Sequence, residues 1–122
     1  MGKVKGTNSK PELFVRKLLT KLGYRYRLHY RKLPGSPDIS FPGRRKVIWI
    51  HGCFWHRHEN CVLARLPKTK LDFWTTKLEG NKIRDLANEK QVRDLGWDAL
   101  IVWECQLRHT SALEERLREF LD

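Results

Sequence analysis

The sequence lacks the features that mark membrane-spanning and secreted proteins. It has no apolar run approaching the ~20 residues that span a bilayer, and no apolar segment follows its basic start as in a signal peptide. Its three cysteines are an odd number, which cannot all pair as disulfides within one chain. Internal repeats and low-complexity tracts are also missing. We therefore expect a cytoplasmic protein whose 122 residues form a single domain around one core.

Acidic side chains are scarce in the first third of the chain. Residues 1–46 contain 13 Lys and Arg but only Glu12 and Asp38 as acids, whereas residues 47–122 contain 12 charges of each sign. The net charge of +11 therefore arises from the first third. A disordered basic arm would show the same surplus, but this segment also carries regularly spaced apolar residues. We expect it to fold and to face the phosphates of a nucleic acid.

Hydrophobic periodicity predicts a mixed α/β fold. Val15, Leu18, Leu19 and Leu22 have helical spacing after a capping box at Ser9, and residues 24–30 alternate between apolar or aromatic and basic or histidine side chains. The later predicted elements are strands at 38–41 and 47–50, a helix from Leu71 to Leu95 that Gly80 could kink, a strand at 99–102 and a helix opened by a capping box at Ser111. The predicted order is αβββαβα, with the three early strands as a meander.

The segment between Gly52 and Lys70 shows no period and is rich in histidine, cysteine and aromatic residues. Three cysteines and one histidine form a common tetrahedral zinc shell, and the candidates are Cys53, His58, Cys61 and Cys105. Buried cysteines also occur as ordinary core residues. Their convergence on a loop without an apolar pattern favours a structural zinc ion, which would order the loop.

Asp38 and two histidines are candidates for chemistry. A Pro-Asp at the start of the second strand of an αβββαβ core resembles the Mg²⁺-binding position of PD-(D/E)xK nucleases, although a solvated turn aspartate is the alternative. The third strand, Val47–Ile50, supplies neither the acid nor the lysine of that pattern. His51 and His56 are left over once His58 is assigned to zinc, and a neutral imidazole can deprotonate an attacking water.

Taken together, the motifs resemble the very short patch repair (Vsr) endonucleases. The matching segments span nearly the whole chain in order: Asn8–Glu12, Leu22–His29, Leu33–Asp38, His51–His56, Phe73–Trp74 and Leu100–Cys105. The resemblance implies a restriction-endonuclease-like core spanning residues 1–122. It also implies a bacterial, nucleoid-associated enzyme that nicks DNA 5′ to the thymine of T:G mismatches left by deamination of 5-methylcytosine.

The same resemblance implies a role for each site residue. Asp38 and the backbone carbonyl of Ile50, where relatives often have threonine, would bind Mg²⁺. His56 would be the general base, supported by Glu12 and His51. The four cysteine and histidine candidates would hold the zinc ion. Residues implied to contact DNA are the stacking aromatics Phe54, Trp55 and Trp74, and Lys77, which would read the mismatched bases. For Lys77 a solvated helix face is the alternative, and Trp49 and Trp103 are predicted core residues.

The implied partners are duplex DNA with a T:G mismatch and mismatch-repair proteins, with no membrane and with the enzyme as a monomer. Two alternatives remain open. A zinc-stabilised module could bind mismatched or bent DNA without cutting it, and a restriction-type nuclease of the same fold could act on a different target. Asp38 and His56 distinguish the first alternative, because a binding module needs neither.

Overall fold

The computed structural model describes residues 10–28, 30, 32–56, 58, 61 and 64–122. Within these residues, three α-helices and four strands follow one another in the predicted order αβββαβα, with a short 3-10 helix before the last α-helix. The elements are α1 (Lys10–Lys21), β1 (Arg27–Leu28), β2 (Ile39–Phe41), β3 (Lys46–His51), α2 (Leu71–Asp94), β4 (Asp98–Trp103), the 3-10 helix (Glu104–Arg108) and α3 (Thr110–Leu121). The motif residues Asn8, Ser9 and His29 lie outside the described residues.

The strands form one mixed sheet in the order β1-β2-β3-β4. The first three strands pair antiparallel, as the predicted meander requires. Strands β3 and β4 pair parallel, with a register from Lys46 opposite Asp98 to His51 opposite Trp103. Because parallel strands end at the same edge of a sheet, the residues that follow His51 and Trp103 meet there.

Helices cover both faces of the sheet. On one face, apolar residues of α1 and α3 pack on β2, β3 and β4 to form the larger core: Val15, Leu18, Leu19, Ile39, Phe41, Ile48, Val102, Leu113, Leu117 and Leu121. On the other face, Val92 of α2 packs in a smaller core with Leu33, Val47, Trp49 and Ala99. Alternate residues of β3 therefore enter different cores, which explains its continuous apolar sequence.

The structure corrects several boundary predictions. Alternation from residue 24 persists in the exposure of the side chains, but among the described residues of this segment only Arg27 and Leu28 pair in the sheet. Gly80 lies inside an unbroken α2. The capping box at Ser111 is wrong, because α3 already begins at Thr110 and no side chain caps it. In the part of the chain described, no helix is both long and apolar enough to cross a membrane.

Candidate active site and metal centre

His51 and His56 lie together at the carboxyl end of β3. Their imidazole rings stack with centroids 3.8 Å apart and an interplanar angle of 7°. The side chain of His51 is buried, whereas His56 is partly exposed in the turn that follows the strand. Burial lowers the pKa of His51 to about 4, with the neighbouring His56 acting in the same direction. His51 is therefore neutral near pH 7.

His56 has a carboxylate partner that sequence reasoning missed. Nδ1 of His56 forms a hydrogen bond with Oδ2 of Asp85, which lies in the second half of α2. The two residues are far apart in the chain, but a signal for Asp85 exists. Leu78, Asp85 and Val92 are spaced at intervals of seven, so they share one face of the helix. Leu78 and Val92 are fully buried, and this face turns Asp85 inward.

Asp38 shares a cavity with these groups. The cavity has a volume of about 160 Å³ and is lined by Gly35, Asp38, Trp49, Ile50, His51, His56, Asp85 and Asn88. Oδ2 of Asp38 accepts a hydrogen bond of 2.7 Å from the backbone N–H of Ile50. Burial raises the pKa of Asp38 from 3.8 to about 6, against the effects of the Ile50 hydrogen bond and of His56. An acid that is costly to ionise favours a cation nearby.

Glu12 is close enough to Asp38 to act on it electrostatically, although it does not line the cavity. It is 3% exposed on α1 and forms an ion pair with Arg16 one turn later. Its negative charge contributes to the raised pKa of Asp38. The structure therefore places the charge of Glu12 within electrostatic reach of Asp38.

The predicted zinc ligands converge on one point. The ligand atoms of Cys53, His58, Cys61 and Cys105 all lie within 4.8 Å of one another. Nδ1 of His58 is 3.5 Å from Sγ of Cys53 and 3.5 Å from Sγ of Cys105. Zn–S and Zn–N bonds of about 2.3 and 2.0 Å at a tetrahedral angle place sulfur and nitrogen about 3.5 Å apart. The spacing of the donor atoms therefore fits a zinc-sized ion.

The buried thiols of the cysteine cluster are costly to ionise. Burial raises the pKa of the Cys53 thiol to about 12, and burial also raises the pKa of Cys105. Thiols in this position bind a metal only after deprotonation, for which the ion itself supplies the stabilising charge. An exposed residue, Glu104, accepts a hydrogen bond of 3.3 Å from the N–H of Cys53 and joins β4 to this turn.

Three of the predicted DNA-contacting residues form an aromatic cluster beside the cavity. Ring centroids are 5.1 Å apart for Phe54 and Trp55, 5.4 Å for Phe54 and Trp74, and 5.9 Å for Trp55 and Trp74. Trp55 is 48% exposed. Asn81, another residue that sequence reasoning missed, donates a hydrogen bond of 3.1 Å to the Trp55 carbonyl and fastens the turn to α2.

The remaining predictions have mixed outcomes. Lys77 is exposed one turn after Trp74 on α2, so it shares that face of the helix. Trp49 is a core residue as predicted, and its indole N–H donates to the Gly35 carbonyl at 3.1 Å. Trp103 is only partly buried and contacts both His51 and His58, so its assignment to the core was wrong.

Comparisons with known proteins agree on a family. The family model described as "DNA mismatch endonuclease Vsr" matches residues 1–62. The chain is 49% identical to the type II nicking enzyme V.XorIIP of Xanthomonas oryzae pv. oryzae over 122 residues, covering 100% of this chain and 89% of the relative. It is 38% identical to the type II nicking enzyme V.NmeAIP of Neisseria meningitidis over 121 residues, which cover 99% and 86%. It is 43% identical to the DNA mismatch endonuclease Vsr of Escherichia coli over 109 residues, which cover 85% and 69%.

Proposed function

Because the chain belongs to the Vsr family of DNA mismatch endonucleases, it is a DNA endonuclease, and we propose that it nicks duplex DNA 5′ to the thymine of a T:G mismatch. The observation that carries the catalytic part of this proposal is the cavity in which Asp38, His51, His56 and Asp85 meet. The mismatch target rests on similarity to the DNA mismatch endonuclease Vsr of Escherichia coli.

His56 is the proposed general base. Its Nδ1 is bonded to the Asp85 carboxylate, which can only accept when ionised, so the proton of the neutral ring lies on Nδ1. The lone pair is then on Nε2, where it can take a proton from an attacking water. The ionised Asp85 also stabilises the imidazolium that results. Stacking on the neutral, buried His51 holds the ring plane without adding a competing charge.

Asp38 and Ile50 are the proposed Mg²⁺ ligands, and the donor set fits that ion. In an extended strand the N–H and C=O of one residue point to the same side. Since the N–H of Ile50 donates to Asp38, its carbonyl faces the Asp38 side as well. Two oxygen donors beside an open cavity suit Mg²⁺, which retains several waters. Bound there, the ion would supply positive charge to the scissile phosphate.

The aromatic cluster is the proposed wedge that enters the base stack. Apolar side chains inserted between base pairs unstack and kink a duplex, and this is least costly where pairing is already weak. Trp55 is the exposed member, while Phe54 and Trp74 support it from the turn and from α2. Lys77 on the same side of α2 would contact the mismatched bases or their phosphates.

The wider proposal includes zinc as the ion of the cysteine cluster, a restriction-endonuclease-like core formed by residues 1–122, and a monomeric enzyme that works with mismatch-repair proteins. Support for zinc comes from the donor set of three sulfurs and one nitrogen and from their spacing. Support for the core comes from the mixed four-stranded sheet with helices on both faces. The basic first third fits a polyanionic partner.

A second candidate function is nicking at a specific sequence without a mismatch. The Xanthomonas and Neisseria relatives are named as type II nicking enzymes, and their names mention no mismatch. Purified protein should be incubated with Mg²⁺ and three duplexes that differ at one pair: T:G, T:A and C:G, each in randomised flanks. Nicking confined to T:G supports the proposal. Equal nicking of the matched duplexes would replace it with the second candidate, and nicking of none would leave the binding-module alternative.

A further inference from the structure

Asn88 lines the same cavity as Asp38, His56 and Asp85. It follows Asp85 by three residues on α2, so the two side chains lie on one face of the helix, with their Cβ atoms about 5–6 Å apart. Among the described residues, none forms a hydrogen bond with the side-chain amide of Asn88. Asn81, two turns earlier on α2, already donates its amide N–H to the Trp55 carbonyl. Asn88 therefore offers the cavity an N–H donor that is still available to a ligand.

The Asn88 side chain packs tightly against the turn that leads to Asp38. A Cβ atom added at Gly35 would lie 2.7 Å from Cβ of Asn88 and 2.9 Å from its Cγ, closer than the normal separation of carbon atoms. Gly35, with a φ of +79°, is the residue that permits this approach. Because the turn holds the Asn88 side chain as far as Cγ, its amide is fixed at the cavity wall. A donor that is already oriented loses little entropy when it binds an anion.

The charges of the cavity favour a neutral donor at this position. The described lining includes the carboxylates of Asp38 and Asp85 but no lysine or arginine, and residues 47–50 lack the lysine of the PD-(D/E)xK pattern. A cationic side chain placed here would form ion pairs with the two carboxylates. An amide has no net charge to pair with them, and its N–H can donate to a phosphate oxygen on which negative charge develops during cleavage.

We propose that Nδ2 of Asn88 donates a hydrogen bond to a nonbridging oxygen of the scissile phosphate, which makes Asn88 a further catalytic residue. The inference rests on the proposed function, because it requires the cavity to hold that phosphate.

Single-turnover nicking of a T:G duplex with Mg²⁺ and saturating protein is the first test. Asn88→Leu keeps a branched Cγ against Gly35 but has no donor, and it should reduce the rate constant roughly 10- to 100-fold, the range for one hydrogen bond to a charged group. Asn88→Ala should show a similar loss. Gln91→Ala removes an exposed amide from the next turn of α2 and is the matched control, which should nick at the parent rate.

Sulfur substitution then identifies the atom that Asn88 contacts. Two T:G duplexes are prepared, each with sulfur in place of a different nonbridging oxygen of the scissile phosphate. Sulfur is a weak hydrogen-bond acceptor, so the contact is lost in one of these duplexes. For that duplex, the ratio of the oxygen rate to the sulfur rate should be roughly tenfold smaller for Asn88→Leu than for the parent. For the other duplex, this ratio should be equal in the two proteins.

Parent-rate nicking of the oxygen duplex by Asn88→Leu or Asn88→Ala would overturn this inference and leave the proposed function standing. Equal ratios in the two proteins for both sulfur duplexes would do the same, because the lost rate would then come from a shift of neighbouring groups. A parent protein that does not nick the T:G duplex would instead remove the proposed function, and this inference with it.

Discussion

The indole ring of Trp103 stacks on the imidazole of His58 with centroids 4.1 Å apart and an interplanar angle of 7°. The same indole meets His51 edge to face at 5.1 Å. His51 in turn stacks on His56. A continuous row of four rings therefore joins a ligand of the proposed zinc ion to the proposed general base.

We expect Trp103→Leu to reduce kcat for nicking by roughly tenfold with little change in KM, because a 1 Å displacement of a catalytic group is sufficient for such losses. Trp103→Phe keeps a ring in the row and should recover most of the rate. Steady-state kinetics on a T:G duplex, with metal content measured for each variant, make the test. A rise in KM without a fall in kcat would contradict a positioning role. An equal fall in kcat for Trp103→Leu and Trp103→Phe would also contradict it.

Asp85→Asn should reduce kcat roughly 100-fold or more, the range over which general base catalysis acts. An amide at this position no longer fixes the ring proton on Nδ1 of His56 and does not stabilise the imidazolium. Single-turnover nicking with saturating protein isolates the chemical step. Asp72→Asn in the exposed first turn of α2 is the control and should nick at the parent rate. Nicking by Asp85→Asn at the parent rate would show that the hydrogen bond between His56 and Asp85 is not part of the mechanism.

Asp38→Asn should abolish Mg²⁺-dependent nicking and yet stabilise the Mg²⁺-free protein near pH 7.5. Because burial raises the pKa of Asp38 from 3.8 to about 6, the folded protein binds a proton between these values that the unfolded chain lacks. The ionised carboxylate therefore destabilises the fold as pH rises through about 6. The shift corresponds to a gain of at most about 3 kcal/mol for the variant at high pH.

Urea unfolding in Mg²⁺-free buffer measures this effect. The difference in unfolding free energy between Asp38→Asn and the parent should shrink as pH falls below 6. Asp94→Asn, an exposed aspartate paired with Lys90, should show no comparable dependence on pH. The prediction would be contradicted if Asp38→Asn were less stable than the parent at pH 7.5, or if the difference in their unfolding free energies did not vary with pH. Either result would show that burial does not destabilise the ionised carboxylate.

Cys105→Ser should lose the metal of the cysteine cluster together with several kcal/mol of stability, because a structural zinc site contributes its binding energy to folding. Elemental analysis should give about one zinc per parent chain and close to none for the variant. Cys105→His retains a zinc ligand and should recover part of the zinc content and part of the stability. Parent protein without metal, or a serine variant of unaltered stability, would refute the structural role.

Trp55→Ala should weaken binding to a T:G duplex by about 1–3 kcal/mol, the range for one stacking aromatic. Its side chain is 48% exposed, so thermal stability should hardly change. Fluorescence anisotropy with labelled T:G and T:A duplexes provides the measurement. Leu95→Ala, which truncates a comparably exposed apolar side chain beyond α2, should bind like the parent. An equal loss of affinity for the T:G and T:A duplexes would indicate that Trp55 is a general DNA contact and does not act at the mismatch.

The helices and strands were predictable where apolar residues recur at the spacing that places them on one buried face. Val15, Leu18 and Leu19 face one core, and the uniform apolar sequence of β3 reflects cores on both sides. Element boundaries were less predictable, because they depend on backbone pairing. The described part of β1 pairs through Arg27 and Leu28, a shorter stretch than the alternation predicts, and the 3-10 helix at Glu104–Arg108 has no sequence period of its own.

The site was predictable where histidine and cysteine residues are concentrated, as in the segment from His51 to Cys61. Asp85 was missed because it lies among many solvated charges of α2, and only its spacing from Leu78 and Val92 distinguishes it. Trp103 was misassigned for the opposite reason. An apolar strand predicts burial of its aromatic residues, but the parallel pairing of β3 and β4 puts this one at the sheet edge where the metal cluster forms.

The parallel pairing of β3 with β4 also sets the order in which the enzyme matures. The whole of α2 lies in sequence between His51 and its partner Trp103, and Cys105 follows two residues later. Contacts so distant in sequence form slowly, because the entropy of closing a long loop must be lost first. A growing chain on the ribosome therefore carries the histidines of its nuclease centre without the groups that align them. The row of rings that joins the two centres is therefore assembled only after synthesis has passed Trp103.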